Sequence, residues 1–310
     1  MTSLRCHVRK YKDFLDYCER LIGKPIYDFD KDPDKPFINA AQFKKIVSLL
    51  RTKKNIILEG VPGVGKTFLA RKIAYQLIGE LKDENIEMVQ FHQSYSYEDF
   101  VQGIRPSEEG GFERKNGIFF DFCSKARRSP DQQFVFIIDE INRGNISKIL
   151  GELMMLIEAD KRKKQYAIKL TYSNEDDERF FVPENVYLIG CMNTADRSLA
   201  IVDYALRRRF RFISIKPEFN EAFISFLKEK GISQENAELV VSKVKAANEV
   251  ISCIDRGLEI GHSYFCQTDG CEDFSAWWND ICEYELFPYL REICFDDEDK
   301  YELICNKLKF

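Results

Sequence analysis

Eight consecutive residues, Gly60-Val61-Pro62-Gly63-Val64-Gly65-Lys66-Thr67, satisfy the pattern G-x-x-x-x-G-K-S/T in full. Glycines at these places let backbone N–H groups turn inward and cradle phosphate oxygens. Lys66 is placed to reach a nucleotide's β- and γ-phosphates, and the Thr67 hydroxyl to ligate Mg²⁺. An apolar run at 55–59 leads in and a helix-compatible run beginning at Phe68 leads out, so the helix N-terminus faces the same anion. About 70 residues downstream, four apolar residues end in Asp139-Glu140. Asp139 is expected to hold Mg²⁺ and Glu140 to orient or deprotonate an attacking water, which is the division of labour that phosphoryl transfer to water needs. Asn193 ends a third apolar run, 186–191, where it can hydrogen-bond both the γ-phosphate and the water. Arg207-Arg208-Arg209 are three adjacent cations in need of an anionic partner. They either reach a neighbouring subunit's γ-phosphate or close a helix on a solvated face.

The elements that must position these groups follow from hydrophobic periodicity. Strands are expected at 55–59, 86–92, 134–138, 186–191 and 210–215, and helices at 40–51, 68–78, 118–128, 146–159 and 200–207. Continuous apolar runs such as 134–138 suit central parallel strands buried on both faces. Segments 166–170 and 179–182 flank a polar tip and predict a β-hairpin. Residues 93–106 read as a polar, tyrosine-rich connection. Alternating strands and helices predict an α/β fold, a parallel sheet flanked by helices spanning 41–216, with ligands at the carboxyl ends of the strands. After Pro217 the pattern is helical only, with helices at 218–230, 236–253 and 277–293, which predicts a smaller C-terminal helical domain at 217–310. Residues 1–40 read as an N-terminal helix (11–22) and a charged, proline-broken linker. The basic run 161–164 could line a pore or touch phosphates, or close a helix in solvent.

The chain has 310 residues, 45% hydrophobic and 31% charged, with a net charge of −5. That balance offers no electrostatic footprint for strong nucleic-acid binding by the chain alone. Ten cysteines include no C-x-x-C pair, which predicts buried free thiols and a cytoplasmic location. No apolar stretch approaches a membrane span.

The set of P-loop, Asp139-Glu140, strand-end Asn193 and pre-strand arginines, followed by a helical lid, resembles AAA+ P-loop NTPases. More narrowly it resembles the McrB family, GTPase motor subunits of McrBC-type modification-dependent restriction systems. The residues that carry this are Met192-Asn-Thr-Ala-Asp-Arg-Ser-Leu-Ala200 with Val202-Asp-Tyr-Ala-Leu-Arg-Arg-Arg-Phe210, Asp139-Glu-Ile-Asn-Arg143, Phe91-His-Gln-Ser-Tyr-Ser-Tyr-Glu-Asp-Phe100 and Gly261-His-Ser-Tyr-Phe265. The resemblance covers about residues 40–270. It implies a hexameric ring with sites between subunits, a preference for GTP over ATP, and a McrC-like endonuclease partner.

By the same resemblance, Asp196 and Arg197 act near the subunit interface, and Arg208 and Arg209 are the trans-acting pair, with Arg207 less favoured. Asn142 and Arg143 shape the site around Glu140. His262 stands where many AAA+ proteins place a sensor arginine, or else is a histidine of the lid core; His92 reads as structural. Gly60, Pro62, Gly63, Val64, Gly65, Lys66, Thr67, Phe68 and His262 make up the expected nucleotide-binding set, with Thr67 and Asp139 at the metal. McrB proteins often carry an amino-terminal domain that reads modified DNA, whereas this chain starts about forty residues before its nucleotide domain. DNA recognition is therefore expected from a separate domain or subunit. No N-K-x-D segment of the kind that reads guanine in Ras-like proteins is present. A MoxR-like ATPase chaperone and a non-hydrolysing nucleotide switch are the alternative functions.

Overall fold

A computed structural model describes residues 26–108, 110–195, 204–268 and 273–309. In chain order the elements are α1 (Ala40–Lys53), β1 (Asn55–Gly60), α2 (Lys66–Ile78), β2 (Ile86–Gln90), α3 (Tyr97–Phe100), β3 (Gln102–Pro106), β4 (Phe112–Asn116), α4 (Ile118–Arg128) and β5 (Phe134–Asp139). These are followed by α5 (Ile146–Leu150), α6 (Leu153–Leu156), β6 (Val186–Asn193), α7 (Tyr204–Arg209) and β7 (Arg211–Ser214). The helical remainder is α8 (Glu221–Glu229), α9 (Gln234–Ile254), α10 (Phe274–Ile281), α11 (Phe287–Ile293) and α12 (Glu298–Leu308). The N-terminal helix expected at 11–22 lies outside the described residues. None of the described helices is long and apolar enough to cross a membrane.

Five parallel strands form one sheet in the order β2-β5-β6-β1-β7. Side chains alternate between its faces, as strand geometry requires. Ile57, Phe134, Phe136, Ile138 and Leu188 join one core, while Ile56, Leu58, Val135, Ile137, Ile189 and Cys191 join the other. Burial on both faces explains why β1, β5 and β6 read as unbroken apolar runs. The edge strands β2 and β7 carry exposed positions instead. A third core lies among residues 219–308, built on Phe223, Val244, Phe265, Trp278 and Leu290. Cys123, Cys191, Cys282, Cys294 and Cys305 are buried free thiols, while Cys253 is exposed. Burial pushes Cys123 and Cys191 up to about 12, so both stay protonated.

The structure differs from the expected elements in several places. The hairpin expected from 166–170 and 179–182 is a single antiparallel bridge, Ile168 to Phe180. Leu170, Phe180 and Val182 turn down into the core rather than extending a ladder. The hairpin that does form is β3–β4, with β3 inside the stretch 93–106 read as a polar, tyrosine-rich connection and β4 beyond it, and its turn holds Gly110 and Gly111. The single helix expected over 146–159 breaks into α5 and α6 at Gly151, whose φ of 47° and ψ of −128° suit glycine. Tyr97 also sits 3.1 Å from where a Cβ there would lie. The helix expected over 277–293 contains a π-turn at Cys282–Leu286, just ahead of Pro288, which has no N–H to donate.

Candidate functional site

The register of the sheet brings the chemistry together. Gly60 pairs with Asn193 across β1 and β6, and Gln90 pairs with Asp139 across β2 and β5. P-loop, Asp139 and Asn193 therefore share the carboxyl edge of the sheet. β1 lies between β6 and β7 while its successor β2 lies at the far edge, so this is also a topological switch point. Gly63 and Gly65 adopt φ of 77° and 66°, and α2 starts at Lys66 with Gly65 as its cap. The helix therefore presents its free N–H groups to the loop's interior.

Lys66 is buried, and its Nζ donates to Gly60 O (3.0 Å), Val61 O (2.9 Å) and Asn193 Oδ1. Asn193 Nδ2 donates in turn to Glu140 Oε1, and Arg143 Nε lies 3.2 Å from Glu140 Oε2. A continuous polar chain, Lys66–Asn193–Glu140–Arg143, thus crosses the site. Asn142 is buried beside it and donates from Nδ2 to Asn193 O at 3.4 Å. Glu140 has a φ of 49°, a left-handed conformation on a non-glycine residue. Such a conformation costs on the order of 1 kcal/mol or more and persists where the surroundings over-determine it. Thr67 Oγ1 donates to Asp139 Oδ1 at 3.1 Å. Two hard oxygen donors in contact suit Mg²⁺, which takes few protein ligands and leaves the rest to phosphates and water. The residues present therefore fit the ion.

Helical residues close over the loop through backbone. Ser263 N donates to Gly63 O at 2.8 Å, and a Cβ on Gly261 would lie 2.3 Å from the Gly63 carbonyl carbon. Thr194 N donates to Gly60 O at 3.1 Å and its Oγ1 to Gly257 O at 3.4 Å. His262 is buried against Phe37, Phe219 and Phe223. Its Nδ1 accepts from Glu218 N at 3.1 Å, which leaves the proton on Nε2, 3.8 Å from the Cβ position of Gly65. Burial pushes its pKa down to about 4, so the imidazole is neutral at pH 7. His262 is a core residue whose outer edge meets the P-loop, and a neutral donor rather than a cation.

Beside the phosphate loop lies a cavity of about 510 Å³, walled by the 33–38 linker, by Val64, Gly65 and Phe68, and by the lid. This size suits a nucleoside. The linker is latched to α2: Lys72 Nζ meets Asp32 Oδ2 at 2.6 Å with both side chains nearly buried, and Tyr27 OH donates to the same oxygen at 2.8 Å. Removing one partner of such a pair strands the other charge. Lys72→Met is expected to lower stability by about 3 kcal/mol in urea unfolding and to raise the nucleotide KM more than it lowers kcat.

The arginines lie elsewhere. Arg209 O accepts from Asn55 Nδ2 at 3.0 Å, at the opposite end of β1 from the P-loop. Five strand residues, about 16 Å, separate the two ends. Arg209 is 13% exposed and tied to Glu158 at 2.9 Å and to Met154 O. Arg208 is 74% exposed with a long 3.4 Å approach to Glu158, and Arg207 covers the Phe212 ring. Asp196 and Arg197 lie outside the described residues. His92 is exposed and packs edge-on against Tyr95.

Two groups escaped the sequence reading. Arg162, within the basic run, is 1% exposed and donates to Ile157 O, Val186 O and Asn55 Oδ1, riveting the amino ends of β1 and β6. Burial pushes its pKa down to about 10, which leaves it charged at pH 7. The Asp32–Lys72 latch joins two residues forty apart, and only the apolar face of α2 around Lys72 could have hinted at it.

Two family models match: an AAA domain of the dynein-related subfamily over residues 55–210, and the McrB alpha-helical lid domain over 240–302. The chain is 52% identical over 279 residues to the type IV methyl-directed restriction enzyme EcoKMcrB subunit of Escherichia coli K12, covering 88% of this chain and 61% of that one. It is 26% identical over 204 residues to the type II restriction enzyme BsuMI component YdiS of Bacillus subtilis 168, covering 53% of this chain and 58% of that one. The chain thus spans about three fifths of the length of these curated relatives. With its parallel sheet, P-loop and helical lid, the chain belongs to the AAA+ family, in its McrB branch.

Proposed function

We propose that the chain is the GTP-hydrolysing motor of a modification-dependent restriction complex. In this reading it assembles into a hexameric ring, binds a McrC-like endonuclease subunit, and moves DNA that a separate domain or subunit recognises. The observation that carries the proposal is the polar chain from Lys66 through Asn193 and Glu140 to Arg143, built at one sheet edge beside a nucleoside-sized cavity. The 52% identity to a restriction-enzyme subunit supplies the biological context.

The chemistry follows from the residues. A water oxygen attacks the γ-phosphorus, its proton passes to the Glu140 carboxylate, and the bond from phosphorus to the bridging oxygen breaks, leaving GDP and phosphate. Asn193 fixes the Glu140 carboxylate and lines the attacked side, so water and base are held in register. Lys66 places a cation against the oxygens on which charge develops. A magnesium ion, when bound, would be held by Thr67 and Asp139 and would neutralise charge on the phosphates. Arg208, exposed and next to Arg209 at the end of β1 opposite its own P-loop, is suited to complete a neighbour's site.

Co-purification with the genomic neighbour, followed by GTP and ATP turnover, tests this. GTP hydrolysis stimulated by the partner is the expected result. ATP hydrolysis with GTP untouched, with and without the partner, would sink the GTPase claim.

A further inference from the structure

The cavity beside the P-loop has three walls, and one residue is tied to all of them. Glu218 N donates to His262 Nδ1, and the far edge of that imidazole meets Gly65 of the P-loop. Asn220 Nδ2 donates to Glu218 Oε2 at 3.2 Å and to Phe37 O of the linker at 2.7 Å. Glu218 itself lines the cavity. Its position relative to the phosphate cradle is therefore set by short, rigid connections rather than by a flexible loop.

Three carboxylates line this cavity: Asp34, Glu218 and Glu229. Asp34 is largely exposed and lies 3.6 Å from Lys72, and Glu229 is exposed. Glu218 is partly buried, and burial raises its pKa above the ordinary glutamate value. Asn220 donates to one of its carboxylate oxygens, Oε2, and Lys216 acts on it electrostatically, which leaves the carboxylate acceptor capacity for a further donor. A partly desolvated carboxylate with spare acceptor capacity in a nucleoside-sized cavity calls for a ligand with N–H donors.

We propose that Glu218 is the residue that selects guanine, its carboxylate accepting the N1–H and N2–H donors of the base. This deepens the GTPase reading and rests on it. Guanine presents those two donors side by side on one edge, a geometric match for the two oxygens of a carboxylate. Adenine presents a bare N1 lone pair there and no amine at C2, so its lone pair would face an anion whose lost hydration nothing replaces. A site built to bond polar groups rejects an analogue lacking them far better than an apolar pocket rejects a wrong shape. The discrimination needs no N-K-x-D segment, because the reader belongs to the lid side of the cleft.

The test is the kcat/KM of the partner-bound protein for GTP, ATP, ITP and XTP, with wild type, Glu218→Gln and Glu218→Ala. Wild type is expected to favour GTP over ATP by roughly 10²-fold or more, and to lose about tenfold on ITP, which lacks the N2 amine. Glu218→Gln is expected to lose about 10²-fold on GTP and to gain XTP, whose O2 can accept from the glutamine amide. Glu218→Ala is expected to lose GTP preference without gaining XTP. The XTP gain cannot come from a misfolded protein, so it separates recognition from stability. A wild type that prefers GTP, with Glu218→Gln keeping both that preference and its indifference to XTP, overturns the assignment to Glu218. A wild type that prefers ATP overturns the GTPase reading, and this proposal with it.

Discussion

Glu140→Gln is expected to lower GTP turnover by about 10²–10⁴-fold while nucleotide binding is retained. Glutamine keeps the shape of the side chain and one acceptor oxygen, so the hydrogen bond from Asn193 Nδ2 survives and Lys66 stays fixed through Asn193. What disappears is the capacity to take a proton, together with the negative charge facing Arg143. The left-handed backbone at residue 140 is set by its place between β5 and the turn that follows, and the substitution leaves that unchanged. Single-turnover hydrolysis and equilibrium binding of a fluorescent GTP analogue separate the two effects. Turnover within twofold of wild type would remove Glu140 from the chemistry and revive the reading of a passive nucleotide switch.

Arg208→Ala is expected to cost the assembled protein about 10³-fold or more in turnover, with little effect on the fold. The side chain is largely in solvent, so truncation removes little packing. Arg209→Ala should behave differently. Arg209 is nearly buried, bonded to Met154 O and paired with Glu158, and its loss should appear first as a lower melting temperature. The decisive measurement mixes two inactive proteins. In a ring of Arg208→Ala and Glu140→Gln subunits, some interfaces join an intact Glu140 from one subunit to an intact Arg208 from its neighbour. Turnover in the mixture above that of either variant alone shows action in trans. A mixture no better than its parts places Arg208 outside the neighbour's site.

The central strands and their strand-end residues were legible because the physics that buries them also marks the sequence. β5 and β6 lie between two cores and so are apolar at every position up to the acid or amide that ends them. The P-loop was legible because its glycines and lysine are required by phosphate geometry, whatever their surroundings. The β3–β4 hairpin left no such mark. All five residues of β4 are exposed, so no alternation distinguishes it from a loop. Arg162 was concealed by its company, since a cation among cations looks solvated until the carbonyls around it are known. Asp32 and Lys72 are chemically ordinary, and their pairing exists only because the linker folds back along α2. The split between Arg208 and Arg209 is likewise tertiary: Glu158 and Met154 arrive from fifty residues away to hold one and leave the other outward.

The contact between the lid and the P-loop includes main chain on both sides, Ser263 N on Gly63 O with Gly261 lying against the same peptide, beside the side chains of His262, Ser263 and Tyr264. Side chains absorb small displacements by changing rotamer, whereas a peptide group pressed against a peptide group has no such slack. A shift of the phosphate-holding loop is therefore expected to carry residues 261–263 with it, ahead of any change in side-chain rotamers. The joint acts as a gear tooth, and glycine at both contact points is what lets the teeth mesh.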